Sequence, residues 1–488
     1  MARALPAGPA VRRRRVFFGL LDADSWAWAF VKAFAWFIAI IFLLGYIPDR
    51  AYYFTVNRTI DLGILAFSPI NLCPPENGSL PCPAPAGAVL AWEQSPTQPV
   101  DISLPEPRTD GALVQAGKKL LYIGGTDGTA ATDEVFVADI VPIGNFDKWS
   151  AGPPLPEPRA DAAVAFLGGS IYVSGGTDAR GRATDTTFVL TPDLQTGAIG
   201  EWQTAEDLSL PIDLPEARTG AALVALGDGL LVVGGANADG APTNTTWKST
   251  IDRTGKLGEW EPQATLAEAV SEAIAVQNGD YLWVYGGRTA AGPTATVQRG
   301  TISTQAGDTL GDITGFATNP GANLPAPRAN ATGWGANGAL YIVGGNDGKG
   351  TANELYWTVP ETGSGGDTIT EWLHIGTSDF PEPGLEGGAA ASSGPVVFVV
   401  GGRSGDTVQT RAVRTNMAPG EPFFQLGFVG ATVPALKIEG QIGQQLGYLS
   451  AAGAGTLNFI ILLIIGWAMA HPERTRGFVD RVRYRGRR

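Results

Sequence analysis

The sequence predicts an all-β, six-bladed β-propeller flanked by two transmembrane α-helices. Three observations predict it. Six short apolar runs each end in Gly-Gly and recur along the chain at nearly even intervals. A second shared stretch of Leu-Pro-Glu-Pro-Arg type stands upstream of each run at a nearly constant distance. Two long apolar segments, one carrying a single lysine and one carrying no charge, bracket the whole array.

The runs are Leu120–Ile123 before Gly124 and Gly125, Ile171–Ser174 before Gly175 and Gly176, and Leu230–Val233 before Gly234 and Gly235. They continue with Tyr281–Tyr285 before Gly286 and Gly287, Leu340–Val343 before Gly344 and Gly345, and Val396–Val400 before Gly401 and Gly402. Self-similarity at such a period signals a radial or stacked array, in which one unit cannot bury its apolar face alone. The upstream stretches are Leu104–Arg108, Leu155–Arg159, Leu214–Arg218 and Leu324–Arg328, with degraded copies at Leu266–Val270 and Phe380–Gly384. The distance from the last residue of each stretch to the first Gly is identical in five copies: Arg108 to Gly124, Arg159 to Gly175, Arg218 to Gly234, Val270 to Gly286 and Arg328 to Gly344. From Gly384 to Gly401 it is one position longer. Variation is thereby pushed into loops. Small residues follow each stretch (Gly111 and Ala112, Ala162 and Ala163, Ala221 and Ala222, Ala273, Ala331, Ala389–Ala391), as suits strands crowded around an axis. Arg108, Arg159, Arg218 and Arg328 are expected to support the links between blades rather than to bind ligands.

Downstream of each Gly pair lies a polar loop with turn chemistry, such as Thr126-Asp127-Gly128 or Asn346-Asp347-Gly348. A third strand follows, then a fourth that ends in an aromatic: Trp149, Trp202, Trp260, Phe316 or Trp372. Four strands per unit, with a Gly pair and a late aromatic, match a propeller blade. In order and spacing, the Pro-Arg, Gly-Gly and late-Trp positions resemble the kelch-repeat family over roughly residues 87–430. The resemblance implies a kelch-like propeller. Such propellers serve as adaptors, adhesion modules and occasional enzymes, so fold alone does not assign the function. Gly87–Trp92 has the fourth-strand pattern yet precedes the first unit, and is expected to complete blade six; Pro422–Gln425 is its rival. Closure removes open sheet edges.

The layout that follows is a basic tail (1–25), a first span (26–48), a juxtamembrane stalk (49–86), the propeller (87–430), a linker (431–449), a second span (450–470) and a second basic tail (471–488). Both spans have the length that a bilayer core demands. The first is too long and aromatic for a signal peptide, and no small-residue cleavage site follows it. The tails carry net +3 and +5, and residues 49–446 carry −22 of a total of −13. Both termini are therefore expected in the cytoplasm and the acidic propeller outside. That charge excludes a nucleic-acid partner. Ala, Gly and Asp richness with few Lys and Cys points to a bacterial chain, hence to a bacterial cytoplasmic membrane.

Cys73 and Cys82, the only cysteines, close a short Pro-rich loop and are expected to form a disulfide outside the cell. Gly443, Gly447, Ala451 and Gly455 recur every four residues, which makes one smooth helix face for packing against another helix; ordinary Gly and Ala enrichment is the bland alternative. Sequons stand at Asn57, Asn77, Asn244 and Asn330.

The case for chemistry is thin. No nucleophile elbow, phosphate loop or metal-ligand cluster is present. Some propellers with kelch-like repeats are copper-radical oxidases, which need paired His and Tyr ligands and a Cys-modified Tyr. Here the cysteines lie outside the repeats, and His374 and His471 fall on opposite sides of the predicted membrane. No catalytic residue, metal or cofactor is expected. Two residues past the Arg position stand Asp110, Asp161, Gly220, Glu272, Asn330 and, allowing for the extra residue, Glu386. In kelch-like propellers this place borders the mouth of the central channel. A ring of carboxylates there could attract a cation or a basic partner loop; local pairing with neighbouring arginines and main chain is the alternative. Two functions remain. The favoured one is a membrane-anchored, extracytoplasmic interaction module, a subunit or scaffold of a cell-envelope complex that meets membrane lipids and another membrane or surface protein. The other is a surface propeller that binds or isomerises a carbohydrate.

Overall fold

The apolar runs become strands because they are rich in β-branched, aromatic and leucine residues and are bounded by turn-forming glycines. The computed structural model describes residues 102–417 apart from 142–144, 195, 253–254, 305–310, 337, 362–367 and 394–395. It also describes 87–89, 92, Ala35 and short strands at 14–16, 21–23, 423–425 and 432–434.

Six antiparallel sheets follow one another along the chain, so the all-β, six-bladed architecture is as expected. Blade 1 pairs Ala112–Ala116, Lys119–Ile123 and Val135–Val141, with Ser150–Ala151 as its outer edge. Blade 2 pairs Ala163–Leu167, Ser170–Ser174 and Thr187–Leu190, and its outer edge is reduced to a bridge between Val189 and Gln203. Blade 3 uses Ala222–Leu226, Gly229–Val233, Thr246–Ile251 and Leu257–Pro262. Blade 4 uses Ile274–Asn278, Tyr281–Tyr285, Val297–Ile302 and Ile313–Thr318. Blade 5 uses Thr332–Ala336, Ala339–Val343, Leu355–Thr358 and Leu373–His374. In blade 6, Glu386–Ser393 pairs with Val396–Ser404, which pairs with Ala412–Asn416.

Second strands are buried almost throughout because each sheet is covered by a neighbour on both faces. The core is thus a set of interblade layers, such as Leu121, Ile123, Val135, Ile171 and Val173 between blades 1 and 2. The innermost strands pack one against the next around a complete circle, and Glu386–Ser393 meets Ala112–Ala116. Each first strand starts beside its Gly pair and runs to a tight hairpin, as the pairing of Ala112 with Ile123 and Ala116 with Lys119 shows for blade 1. One face of the disc therefore carries the loops that follow the Gly pairs (the loop face), and the other carries the hairpins (the hairpin face).

Blade 6 is completed by the N-terminal segment. Val89 pairs antiparallel with Met417. Ala88 and Val89 are fully buried, Ser378 Oγ donates to the Val89 carbonyl, and Tyr341 Oη donates to the Gly87 carbonyl at 2.9 Å. Trp92 occupies the late-Trp place of this blade. In blades 1, 2, 3 and 5 the indoles of Trp149, Trp202, Trp260 and Trp372 donate to the carbonyls of Ile102, Pro153, Ile212 and Ala322 in the entry loop of their own blade. The indole of Trp92 donates to Ser378 of the blade 6 entry loop at 2.9 Å. The rival segment is engaged elsewhere: Phe423–Gln425 pairs with Thr432–Pro434. That hairpin belongs to a second compact unit (1–58, 69–72 and 421–488), in which Arg14–Val16 also pairs with Leu21–Ala23.

The expected spans (26–48 and 450–470), Cys73, Cys82, Gly443, Gly447, Ala451, Gly455, Asn57, Asn77 and His471 lie outside the residues whose structure is described. Among the described residues no helix is long and apolar enough to cross a membrane.

Candidate functional site

The Gly pairs join blade to blade. Gly125, Gly176, Gly287 and Gly402 each donate their N–H to the carbonyl of the next blade's entry residue: Arg159, Arg218, Arg328 and, closing the circle, Arg108, at 2.6–2.8 Å. In the degraded copies Gly235 donates to Val270 and Gly345 to Leu385. This corrects the sixth register. The entry residue of blade 6 is Leu385, not Gly384, and Leu385 stands as far before Gly401 as Arg108 stands before Gly124. The inserted residue lies upstream, in the Pro381–Gly384 turn. Both glycines of each pair have left-handed φ, and a side chain there meets backbone of the next blade or of its own first strand.

The four repeat arginines are 1–4% exposed. Their Nη1 atoms donate to Pro107, Pro158, Ala217 and Pro327 carbonyls. Their Nη2 atoms reach Glu106 and Glu134, Glu157 and Thr186, Glu216 and Thr245, and Glu354. Each guanidinium lies over an aromatic ring of the third strand: Phe136, Phe188, Trp247 or Tyr356, at 4.6–5.8 Å. Charge-assisted hydrogen bonds of about 1.5–3 kcal/mol and ring contacts of about 0.5–2 kcal/mol make these structural supports. Where the arginine is missing, other groups hold the loop. Gln298 exchanges two hydrogen bonds with the Glu268 main chain, and Arg411 donates to Pro381 and Glu382.

Two positions beyond the entry residues come Asp110, Asp161, Gly220, Glu272, Asn330 and Gly387. The sixth member is Gly387 and not Glu386, because the register shifts with Leu385. All six have φ between 49° and 64°. Main-chain bonds run around the axis through them: Asp161 N–H to Asp110, Gly220 to Asp161, Glu272 to Gly220, Gly387 to Asn330 and Asp110 to Gly387, at 2.7–3.0 Å. Left-handed φ costs most residues about 1–2 kcal/mol and is most tolerable for Gly, Asn and Asp. Backbone need therefore explains the residue types at five of the six positions.

The side chains add an asymmetric polar cluster. Asn330 Nδ2 donates to Asp110 Oδ1 at 2.8 Å across Gly387, where a side chain would collide with Asp110 and Thr109. Arg288 Nε donates to both oxygens of Glu272 at 3.1 Å. Glu386 is buried and takes Arg403 Nη2 at 2.8 Å. Burial raises the Asp110 carboxyl above the ordinary range against the pull of Asn330 and Arg403. Asp161 is raised much further, by burial first and then by the charges of Asp110 and Glu272. Burial opposes the Arg403 charge, but the hydrogen bond and field of Glu386, with Asp110 and Asp161, outweigh it and raise its pKa. Arg288 and Arg403 escape the sequence reading. Each directly follows a Gly pair, a place that bridges the residue before the ring position, and that alignment is the signal that would find them. Among the described residues no three of His, Cys, Asp and Glu form a metal-ligand group. His374 pairs with Asp379 at the blade 5 rim.

Asp161→Asn tests this cluster. Asn accepts the backbone, since Asn330 holds φ 49° at the same place. An acid whose pKa is raised by folding favours the folded state while protonated and loses that contribution as pH rises through the raised value. The variant is expected to melt above wild type at about pH 8 and to lose that advantage at about pH 3, below the ordinary Asp value. A gap that does not narrow on acidification would show that Asp161 is not the group under strain.

The Kelch motif family matches residues 158–207, the span of blade 2 from its Pro-Arg through Gly175-Gly176 and Trp202. The chain is 28% identical over 235 residues to "Kelch repeat protein M-T8" of Myxoma virus (strain Lausanne), which covers 48% of this chain and 39% of that protein. It is 25% identical over 241 residues to "Beta-scruin" of Limulus polyphemus, covering 46% and 23%. The chain thus spans well under half the length of these relatives. A solved structure titled "Structure of YjhT" superposes with a TM-score of 0.49 at 16% identity, over 64% of this chain and 95% of that one.

Proposed function

We propose that this chain, a member of the kelch-repeat family, is a membrane-anchored interaction module that presents its loop face to a protein partner. One observation carries the reading. The recurring residues are consumed by internal contacts, while the loops after the Gly pairs are exposed and different in every blade: Asp127–Ala130, Ala179–Arg182, Ala238–Ala241, Ala290–Ala291, Gly348–Gly350 and Gly405–Thr407. A rigid frame that displays variable polar loops is the usual arrangement of a recognition surface. The carbohydrate alternative draws less support, since no Phe, Tyr or Trp among the described residues is strongly exposed to stack on a sugar. Reversing Arg180 and Lys349 to Glu is expected to strip partners that co-purify with the detergent-solubilised protein, at unchanged melting temperature. Retention of every partner would count against the loop face. Sugar turnover abolished by Asp110→Ala or Asp161→Ala would favour the carbohydrate reading.

The anchoring rests on the two apolar segments and the arginine-rich tails. In this reading both tails are cytoplasmic, the propeller is outside as part of a cell-envelope complex, and Cys73–Cys82 is a disulfide in the stalk. Protease added to intact cells is expected to cut within the 87–430 region and to spare both tails. Peptide mapping without reduction is expected to find Cys73 linked to Cys82. A protected propeller, or two freely alkylated thiols, would overturn the corresponding part. Gly447→Leu and Gly455→Leu are expected to disturb packing of the second span against a neighbouring helix.

A further inference from the structure

Both ends of the propeller emerge on one face. In blade 6 the third strand begins at Ala412, opposite Val400 beside the Gly pair, and ends at Asn416, opposite Val396 next to the hairpin. Met417 therefore leaves the sheet on the hairpin face. Val89 runs antiparallel to it, which puts the start of that segment on the same side. Gly87 sits against Ala339, the first residue after the blade 5 hairpin, and gives its carbonyl to Tyr341. The mouth cluster and the six loops lie at the other ends of these strands, because Gly125 abuts Thr109 and Gly111. Leu194, 51% exposed, is the one strongly exposed large apolar side chain among the described residues. It follows the third strand of blade 2 and leans on Gly117 of the blade 1 hairpin, so it belongs to the hairpin face.

From this we infer that the hairpin face is turned toward the lipid and the loop face away from it, so that the loop face meets a protein that stands beyond the bilayer surface and not the bilayer itself. The inference rests on the anchoring proposed above. Two tethers that leave one face restrict tumbling more than a single tether would, and a five-residue strand alone separates the faces by about 17 Å.

The test uses the full chain in liposomes that contain acceptor-labelled lipid, with Cys73 and Cys82 replaced by serine and one donor-labelled cysteine. Asp280→Cys marks the hairpin face and Lys349→Cys the loop face; both residues are exposed. Energy transfer to the lipid is expected to be about twofold stronger from residue 280 than from residue 349, given that separation. Equal or reversed transfer in protein that floats with the liposomes overturns the orientation and leaves the anchoring intact. Protein that does not float overturns the anchoring, and the orientation with it.

Discussion

Gly175→Ala is expected to destabilise the propeller by roughly 3–5 kcal/mol, far more than the same change at Gly181 in the loop that follows. Gly175 holds φ +64°, and a Cβ there would lie 2.5 Å from the Arg218 carbonyl oxygen. That oxygen accepts the Gly176 N–H at 2.7 Å, and the Arg218 side chain is buried over Trp247. Relief of the clash requires blades 2 and 3 to part, which breaks the junction bond and disturbs the buried guanidinium. Gly181 has a similar φ, +73°, but nothing within 4 Å, so alanine there bears only the left-handed penalty of about 1–2 kcal/mol. Chemical denaturation of the full chain, followed by tryptophan fluorescence, measures both. Equal losses would mean that the junction adds nothing to conformational strain.

Trp92→Ala is expected to remove about 3–5 kcal/mol and to loosen blade 6 before the rest of the disc. Its indole donates to Ser378 and meets Trp334 and Phe380 edge-on, with centroids 6.4 and 5.3 Å away. Val89, bridged to Met417, comes to blade 6 from the far end of the chain, so losing the Trp92 anchor also weakens the closure of that blade. Limited proteolysis is expected to cut near residues 378–417 in the variant under conditions that leave wild type whole. Trp149→Ala is the comparison, since it weakens a blade whose strands are continuous in sequence. An identical digestion pattern for the two would refute a special role for the closing segment.

The frame is legible in the sequence because its devices are local and repeated. A Gly pair after an apolar run, an arginine at a fixed distance upstream and a late tryptophan mark the same three places in most blades, and Trp92 is recognisable as a displaced copy. The sixth register is harder. Leu385 has replaced the arginine, and the preceding insertion makes Gly384 look like its equivalent. The hydrogen bond from Gly345, with the left-handed φ of Gly387, identifies the right residue. The mouth is half legible. Aligned positions lead to Asp110, Asp161, Glu272 and Asn330, but a row of carboxylates in a sequence says nothing of φ. Their shared left-handed backbone, and the main-chain bonds that five of the six ring positions donate to a neighbour, belong to the closed ring and have no local trace. Arg288 and Arg403 escape notice because their blades depart from the Thr, Ala or Asn found elsewhere after the Gly pair.

The necklace at the axis has six seats that are nearly equivalent in backbone, yet the side chains and charges that occupy them do not repeat sixfold. Acids occupy blades 1, 2 and 4, an amide blade 5, glycines the opposed blades 3 and 6, and guanidinium groups stand beside blades 4 and 6. A body that docks over this mouth and reads its charges fits at one angular setting out of six. The loop face therefore has a clock position as well as a location, and a partner with sixfold or threefold symmetry of its own is mismatched to it.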